Sequence, residues 1–219
     1  MSISKNLENV KSALPESVTL VAVSKTKPIS DLMEAYSAGQ RIFGENKIQE
    51  MAEKWENMPK DIQWHMIGHV QRNKVKYMAE FVDLIHGVDS LKLLKEINKQ
   101  AQKHNRVINC LLQIKIAEED SKFGISADEA STLLQSESFT ELKHINITGV
   151  MGMATFTDDM KQVEKEFKFL KSTFDILKNL LSNLSTVSMG MSGDYLLAIE
   201  CGSTMVRVGS SIFGKRNYT

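Results

Sequence analysis

The first residue in this chain with the makings of a reactive group is Lys25. It follows the apolar run Val18-Thr19-Leu20-Val21-Ala22-Val23-Ser24. An amine at the carboxyl end of a buried strand loses hydration, and its pKa falls toward the range in which it attacks carbonyls as a Schiff-base former. The alternative is a lysine that leaves the sheet or barrel mouth for water, as most lysines do. Two Gly/Ser loops, Gly190-Met191-Ser192-Gly193-Asp194 and Gly209-Ser210-Ser211, offer hydroxyls and uncluttered backbone N–H donors. Ahead of helices, such donors form phosphate cradles, although tight turns use the same residues. Arg207 stands between Val206 and Val208 in an apolar strand. If those valines face helices, the guanidinium faces a lumen and needs an acceptor. A carboxylate such as Glu200 would be a structural partner; a ligand phosphate or ring nitrogen would be a functional one.

Other candidates are weaker. His65 and His69 have the i, i+4 spacing of a helical metal site, but Met66 stands where a metalloprotease motif needs Glu and the segment reads as strand plus loop, so no metal is expected. Asp158-Asp159 and Glu118-Glu119-Asp120 are acidic clusters near expected helix starts, which the helix dipole accounts for. Met151, Met153, Met189, Met191 and Met205 read as soft core fillers at strand ends. No Ser/His/Asp or Cys/His arrangement can be assembled from spacing.

The elements that must position these groups alternate in period. Short β-branched runs predict strands near 18–24, 41–43, 64–67, 82–86, 109–116, 147–151, 186–189 and 205–208. An amphipathic helix carrying Ile3, Leu7, Val10 and Leu14 opens the chain. Helical patterns follow near 30–38, 47–56, 71–79, 91–103, 127–135, 160–184 and 193–199. Eight successive βα units favour a single closed (β/α)8 TIM barrel over an open doubly wound sheet. The stripe Val163, Phe167, Leu170, Phe174, Leu177, Leu181 and Leu184 suits a helix lying along the barrel wall; a coiled-coil seam could use it too. No linker or repeat divides residues 1–219, so one domain is expected. In such a barrel the working residues sit at the carboxyl ends of strands, and phosphate sites recur after strands seven and eight. Val21, Val23 and Lys25 share one strand face, which makes Lys25 the candidate amine, with Lys27 already in the turn before Pro28.

The totals exclude several function classes. With 27 basic and 27 acidic residues and no basic stripe, a nucleic-acid partner is not expected. Two distant cysteines, Cys110 and Cys201, argue against a disulfide scaffold or zinc site and fit a reducing compartment, so a cytoplasmic protein is expected. The start lacks a signal-peptide core, and no uncharged apolar stretch reaches spanning length, so no membrane association is expected.

Taken in order, AVSKTKP around Lys25, FGEN ending at Asn46, IGHVQRNK at 67–74, SKFGI at 121–125, GVMGM from Gly149, SMGMSGD from Ser188 and GSTMVRVGSSIFGKR from Gly202 resemble the pyridoxal 5'-phosphate homeostasis protein family. That family is similar in fold to the amino-terminal barrel of alanine racemase, the fold type III barrel of pyridoxal phosphate (PLP) enzymes without its carboxyl-terminal β-domain. The resemblance covers essentially the whole chain. It implies PLP held as a Schiff base on Lys25, the phosphate on Ser192 and the backbone of Gly209 and Ser210, Arg207 near the pyridine nitrogen, and Asn46 near the ring hydroxyl. The family often has Thr at Ser210, which keeps the hydroxyl, and an aromatic residue at Lys47. A cationic Arg at the ring nitrogen disfavours its protonation and weakens the ring as an electron sink. Racemisation would also need an acid/base from a further domain. The resemblance therefore implies a non-catalytic PLP carrier or regulator in PLP and amino-acid homeostasis, a monomer, with apo PLP-dependent enzymes as conceivable recipients. A weak racemase or related PLP enzyme, and a cofactor-free aldolase-type barrel using Lys25, are the alternatives.

Overall fold

The computed structural model describes residues 2–119 and 123–214. Met1, Asp120 of the acidic cluster, Ser121 and Lys122 of SKFGI, and Lys215 and Arg216 of the last motif lie outside the described residues.

Strands β1 (Thr19–Val23), β2 (Ile42–Glu45), β3 (Gln63–Met66), β4 (Val82–Val88), β5 (Ile108–Gln113), β6 (Ile145–Met151), β7 (Thr186–Ser188) and β8 (Met205–Val208) pair in parallel in chain order, and β8 closes on β1. The barrel expected from the βα alternation is the one observed. Around it lie α1 (Ile3–Ser12), α2 (Ile29–Ser37), α3 (Ile48–Asn57), α4 (Leu91–Lys103), α5 (Ala127–Gln135), α6 (Glu137–Thr140), α7 (Met160–Leu180), α8 (Tyr195–Glu200) and α9 (Ser210–Phe213). No helix among the described residues is long and apolar enough to cross a membrane.

Strand alternation sorts side chains into two cores. Leu20, Ala22, Phe43, Trp64, Ile85, Leu112, Val187, Val206 and Val208 face the helices. Val21, Ile67, Leu84, Leu111, Met151 and Met205 fill the lumen. The stripe on α7 is the wall contact: Val163, Phe167, Leu170, Phe174 and Leu177 are buried.

Four details differ from the sequence reading. The segment expected to be a helix at 71–79 is a 3-10 turn, Arg72–Tyr77, because only Val75 within it turns inward and the chain enters β4 at Val82. The last long helix ends at Leu180 rather than 184, since Leu181 is extended, although Leu181 and Leu184 still pack on the core. β5 stops at Gln113 where the pattern ran to Ile116, because Ile114 leaves the ladder to bridge Ile125. The short helices α6 and α9 have no apolar period and were not expected.

Truncating Phe167 to Ala should destabilise the protein by about 3–5 kcal/mol in urea unfolding, against under about 1 kcal/mol for the half-exposed Phe169. Equal small losses at both would mean that α7 does not carry the outer core.

Candidate functional site

At the carboxyl end of the barrel is a cavity of about 820 Å³, within the range of small-molecule sites. Lys25, Asn46, Ser192, Arg207, Gly209 and Ser210 all line it. The structure thus brings together every residue singled out as a cofactor contact, from the ends of β1, β2, β7 and β8.

Lys25 is half-buried and leaves β1 on the lumen face shared with Val21. The turn that follows is strained: Thr26 has φ 64°, a region β-branched residues avoid. Two ties hold it. Lys27 N–H donates to the Ser24 carbonyl at 3.1 Å, and Thr26 N–H donates to Glu50 Oε1 at 2.6 Å. Glu50 belongs to a buried network between β1, β2 and α3. There Lys54 Nζ donates to Glu45 Oε1 (2.7 Å), Glu50 Oε1 (2.8 Å) and the Ser24 carbonyl (2.8 Å), and Ser24 Oγ donates to Glu45 Oε1 (2.6 Å). Burial pushes the Glu45 carboxyl above its ordinary pKa, against the pull of Lys54 and Ser24. Glu45 Oε2 has no partner among the described residues. Lys27 reaches away to the Phe213 carbonyl, 2.7 Å from its Nζ.

The two Gly/Ser loops meet next to β1, after β7 and after its paired neighbour β8. Gly209 N–H donates to Ser192 Oγ at 3.1 Å, which joins them directly. Gly209 lies so close to β1 that a Cβ there would sit 3.1 Å from the Val23 carbonyl oxygen. Gly190 has φ 94°, and a Cβ on it would fall 2.6 Å from that of Ala198. Asp194 Oδ1 accepts from Met191 N–H and fixes the loop; burial raises its pKa.

Arg207 is buried in the lumen, but Glu200, offered as its structural partner, is exposed and unconnected to it. Arg207 Nη1 donates instead to the Ser188 carbonyl (2.9 Å) and Ser188 Oγ (2.7 Å), and Nη2 donates to the Gly152 carbonyl (3.1 Å). Burial lowers its pKa to about 10, so it stays charged at neutral pH. Ser188 Oγ also lies 3.1 Å from His86 Nδ1, His86 Nε2 lies 3.0 Å from His65 Nδ1, and His65 Nε2 faces Asp83 Oδ2 at 3.5 Å. Burial lowers the pKa of both histidines, that of His86 furthest, with repulsion from His65 and Arg207 adding to it. His65 therefore belongs to a histidine pair, not to a site with His69, and no metal-holding cluster occurs among the described residues. His69 stacks on Phe123 at the cavity rim.

Other sequence readings resolve as follows. Asp159 caps α7, accepting from Lys161 and Gln162 N–H, in keeping with the dipole argument. Glu118 and Glu119 are not at a helix start; Glu119 Oε1 accepts from Phe156 N–H at 2.6 Å in the loop beside the cavity. Glu166, buried on α7, holds the same loop through Thr155 N–H and Oγ1, both at 2.7 Å. Met151, Met189 and Met205 are core, whereas Met191 is exposed at the rim. The residues missed by sequence reading are Glu45, Lys54, Glu166, Ser188, His65 and His86 as network members. A polar residue inside an apolar strand, as at His65, His86 and Ser188, was the available signal.

The donors fit a phosphorylated carbonyl compound. Hydroxyls of Ser192 and Ser210, the first backbone N–H groups of α9 and a guanidinium suit an anion, and Lys25 supplies an amine on the same cavity wall.

The family model described as "Alanine racemase, N-terminal domain" matches residues 1–217. The chain is 41% identical over 236 aligned positions to the pyridoxal phosphate homeostasis protein of Pasteurella multocida, covering 100% of both. It is 38% identical over 209 positions to that of Escherichia coli K12, covering 94% of this chain and 88% of the relative. The solved structure of PipY from Synechococcus elongatus PCC7942 superposes with TM-score 0.91 without PLP and 0.89 with PLP bound, at 34% and 33% identity, covering 97% of this chain and 100% of that one. Alanine racemase of Clostridium difficile 630 shares the fold, with TM-score 0.82 at 13% identity over 98% of this chain and 60% of its own.

The buried histidine pair has a consequence for stability. Both folded-state pKa values lie below the ordinary value of about 6.5. The unfolded chain therefore takes up protons first as pH falls. Their stabilisation is present above pH ~6.5 and drains below it by up to about 1.4 kcal/mol per pH unit for each histidine. Urea unfolding of His86→Gln should show a slope shallower by about that amount between pH ~6.5 and ~5; an unchanged slope would contradict a neutral, buried His86.

Proposed function

The chain belongs to the alanine racemase N-terminal domain family, among its pyridoxal phosphate homeostasis proteins, and from that membership we propose that it binds PLP and holds it without turning over a substrate. The carrying observation is that Lys25, the Ser192 and Gly209 loops and Arg207 converge on one cavity of the right chemistry. PLP supplies, when bound, an aldehyde that condenses reversibly with an amine. In this reading Lys25 is that amine, held in place by the Thr26 turn and by Glu50 and Lys54 behind it. Ser192, Ser210 and the backbone at Gly209 bind the phosphate, and Asn46 orients the ring.

Arg207 argues for holding over catalysis. A guanidinium can only donate, so whatever ring atom it meets must accept, and an unprotonated ring nitrogen is a poor electron sink. The relatives named here are called homeostasis proteins, which supports the same reading. The rim fits release: Phe156 is 95% exposed at the cavity mouth, with Phe123 and Met191 also open to solvent. We place apo PLP-dependent enzymes as recipients at that face. The barrel closes with this chain's own eight strands, so a monomer suffices.

Borohydride reduction of protein incubated with PLP, followed by peptide mapping, should place the pyridoxyl group on Lys25, and Lys25→Ala should abolish it with the visible absorbance. Ser192→Ala should weaken PLP binding roughly tenfold. Modification at Lys27 with Lys25 untouched would overturn the assignment, and no uptake by the wild-type protein would overturn the function.

A further inference from the structure

The lumen contains a line of polar groups that PLP binding itself does not require. It runs from Arg207 through Ser188, His86 and His65 to Asp83, on β8, β7, β4, β3 and β4. The directions of its bonds follow from the groups at its two ends, a guanidinium that only donates and a carboxylate that only accepts. Arg207 only donates, so Ser188 Oγ accepts from it. Asp83 accepts from His65 Nε2–H, which leaves His65 Nδ1 to accept from His86 Nε2–H and His86 Nδ1 to accept the Ser188 hydroxyl proton. With Nδ1 accepting, a neutral His86 carries its proton on Nε2 and donates to His65 Nδ1. His65 in turn carries its proton on Nε2, pointed at the Asp83 carboxylate, at 3.5 Å the longest step. Asp83 reaches that position through an irregularity in the ladder: Trp64 pairs with Val82 but His65 with Leu84. The extra residue is a bulge of the kind that re-aims a side chain. The charged groups around the line are Asp83 and Arg106 at one end and Arg207 and Asp194 at the other.

We propose that Ser188, His86, His65 and Asp83 are positioning residues, a one-directional hydrogen-bond relay that fixes Arg207 as a donor-only cation at the cavity. A positive head, neutral hydroxyl and imidazoles, and a negative tail make every dipole in the line point the same way, and aligned bonds polarise one another. Flipping the tautomer of His86 alone would set two acceptors face to face at His65 Nδ1, and flipping that of His65 alone would set two acceptors face to face at Asp83. The relay therefore resists the arrangement in which Arg207 turns away and leaves a ring nitrogen to take a proton. This last step rests on the proposed PLP binding; the relay itself does not.

The two parts separate experimentally. Imidazole nitrogen NMR of the cofactor-free protein near neutral pH should show His65 and His86 both neutral with the proton on Nε2. Either one protonated on Nδ1 would overturn the relay whatever the protein binds. Next, the visible spectrum of PLP-loaded protein is titrated with pH. His86→Gln, which can still accept and donate along the line, should keep the wild-type profile. His86→Phe and Ser188→Ala should raise the midpoint at which the bound ring takes a proton by about one pH unit. An unmoved profile in Ser188→Ala, with its thermal unfolding intact, would overturn the relay; Ser188→Ala carries the test if His86→Phe does not fold. Failure of the wild-type protein to take up PLP would instead overturn the binding proposal and leave the tautomer result standing.

Discussion

A guanidinium inside a closed parallel barrel has few ways to exist. Little of it meets solvent, an unpaired charge there is very costly, and the strands around it have committed most of their backbone groups to one another. Arg207 meets this constraint at the carboxyl end of the barrel, where ladders end and carbonyls become available. Gly152 and Ser188 supply three acceptors between them. In the proposed relay Ser188 accepts from Arg207, and the Asp83 carboxylate at the other end of β4 orients the two buried histidines so that His86 takes the Ser188 proton. One charge thus heads a polar line through a lumen that is otherwise packed by Val21, Ile67, Leu84, Leu111, Met151 and Met205.

A second buried charge organises the outer side of the neighbouring strands β1 and β2. Lys54 lies outside the lumen, between α3 and the β1–β2 edge, and its ammonium ties Glu45, Glu50 and the Ser24 carbonyl together. Its effect on the cavity is indirect. Glu50 also grips the Thr26 N–H, so the ion network holds a turn that Thr26 would not adopt unaided. Lys25 is delivered into the cavity by the residue that follows it. The two networks lie on opposite faces of the barrel wall, and β1, paired with both β2 and β8, lies between them.

The barrel was legible because period is a local property: the eight βα alternations and the α7 stripe are visible residue by residue. The 3-10 turn at Arg72–Tyr77 was not, because its length is set by how soon β4 must begin. The cavity-lining residues could be read from strand ends and from the family motifs. The networks behind them could not. Glu45 to Lys54 is a contact across an element boundary, and His65 to His86 joins two strands whose register includes a bulge at Asp83. Nor could sequence choose a partner for Arg207; Glu200 was the nearest acid in the chain, but in space the acceptors are carbonyls and a serine.

The same barrel in alanine racemase, at 13% identity and 60% of that chain's length, shows that the scaffold tolerates wide variation while keeping its architecture. In this chain it carries a cation pinned at the cavity by carbonyl and hydroxyl acceptors and an amine presented by a strained turn, an arrangement suited to holding a ligand. A crystal structure grown with PLP tests this most directly. The account predicts density continuous from Lys25 Nζ, phosphate among Ser192, Gly209 and Ser210, and Arg207 still bonded to Ser188 and Gly152. PLP seated away from Lys25, or Arg207 swung off Ser188 to meet it, would contradict the account.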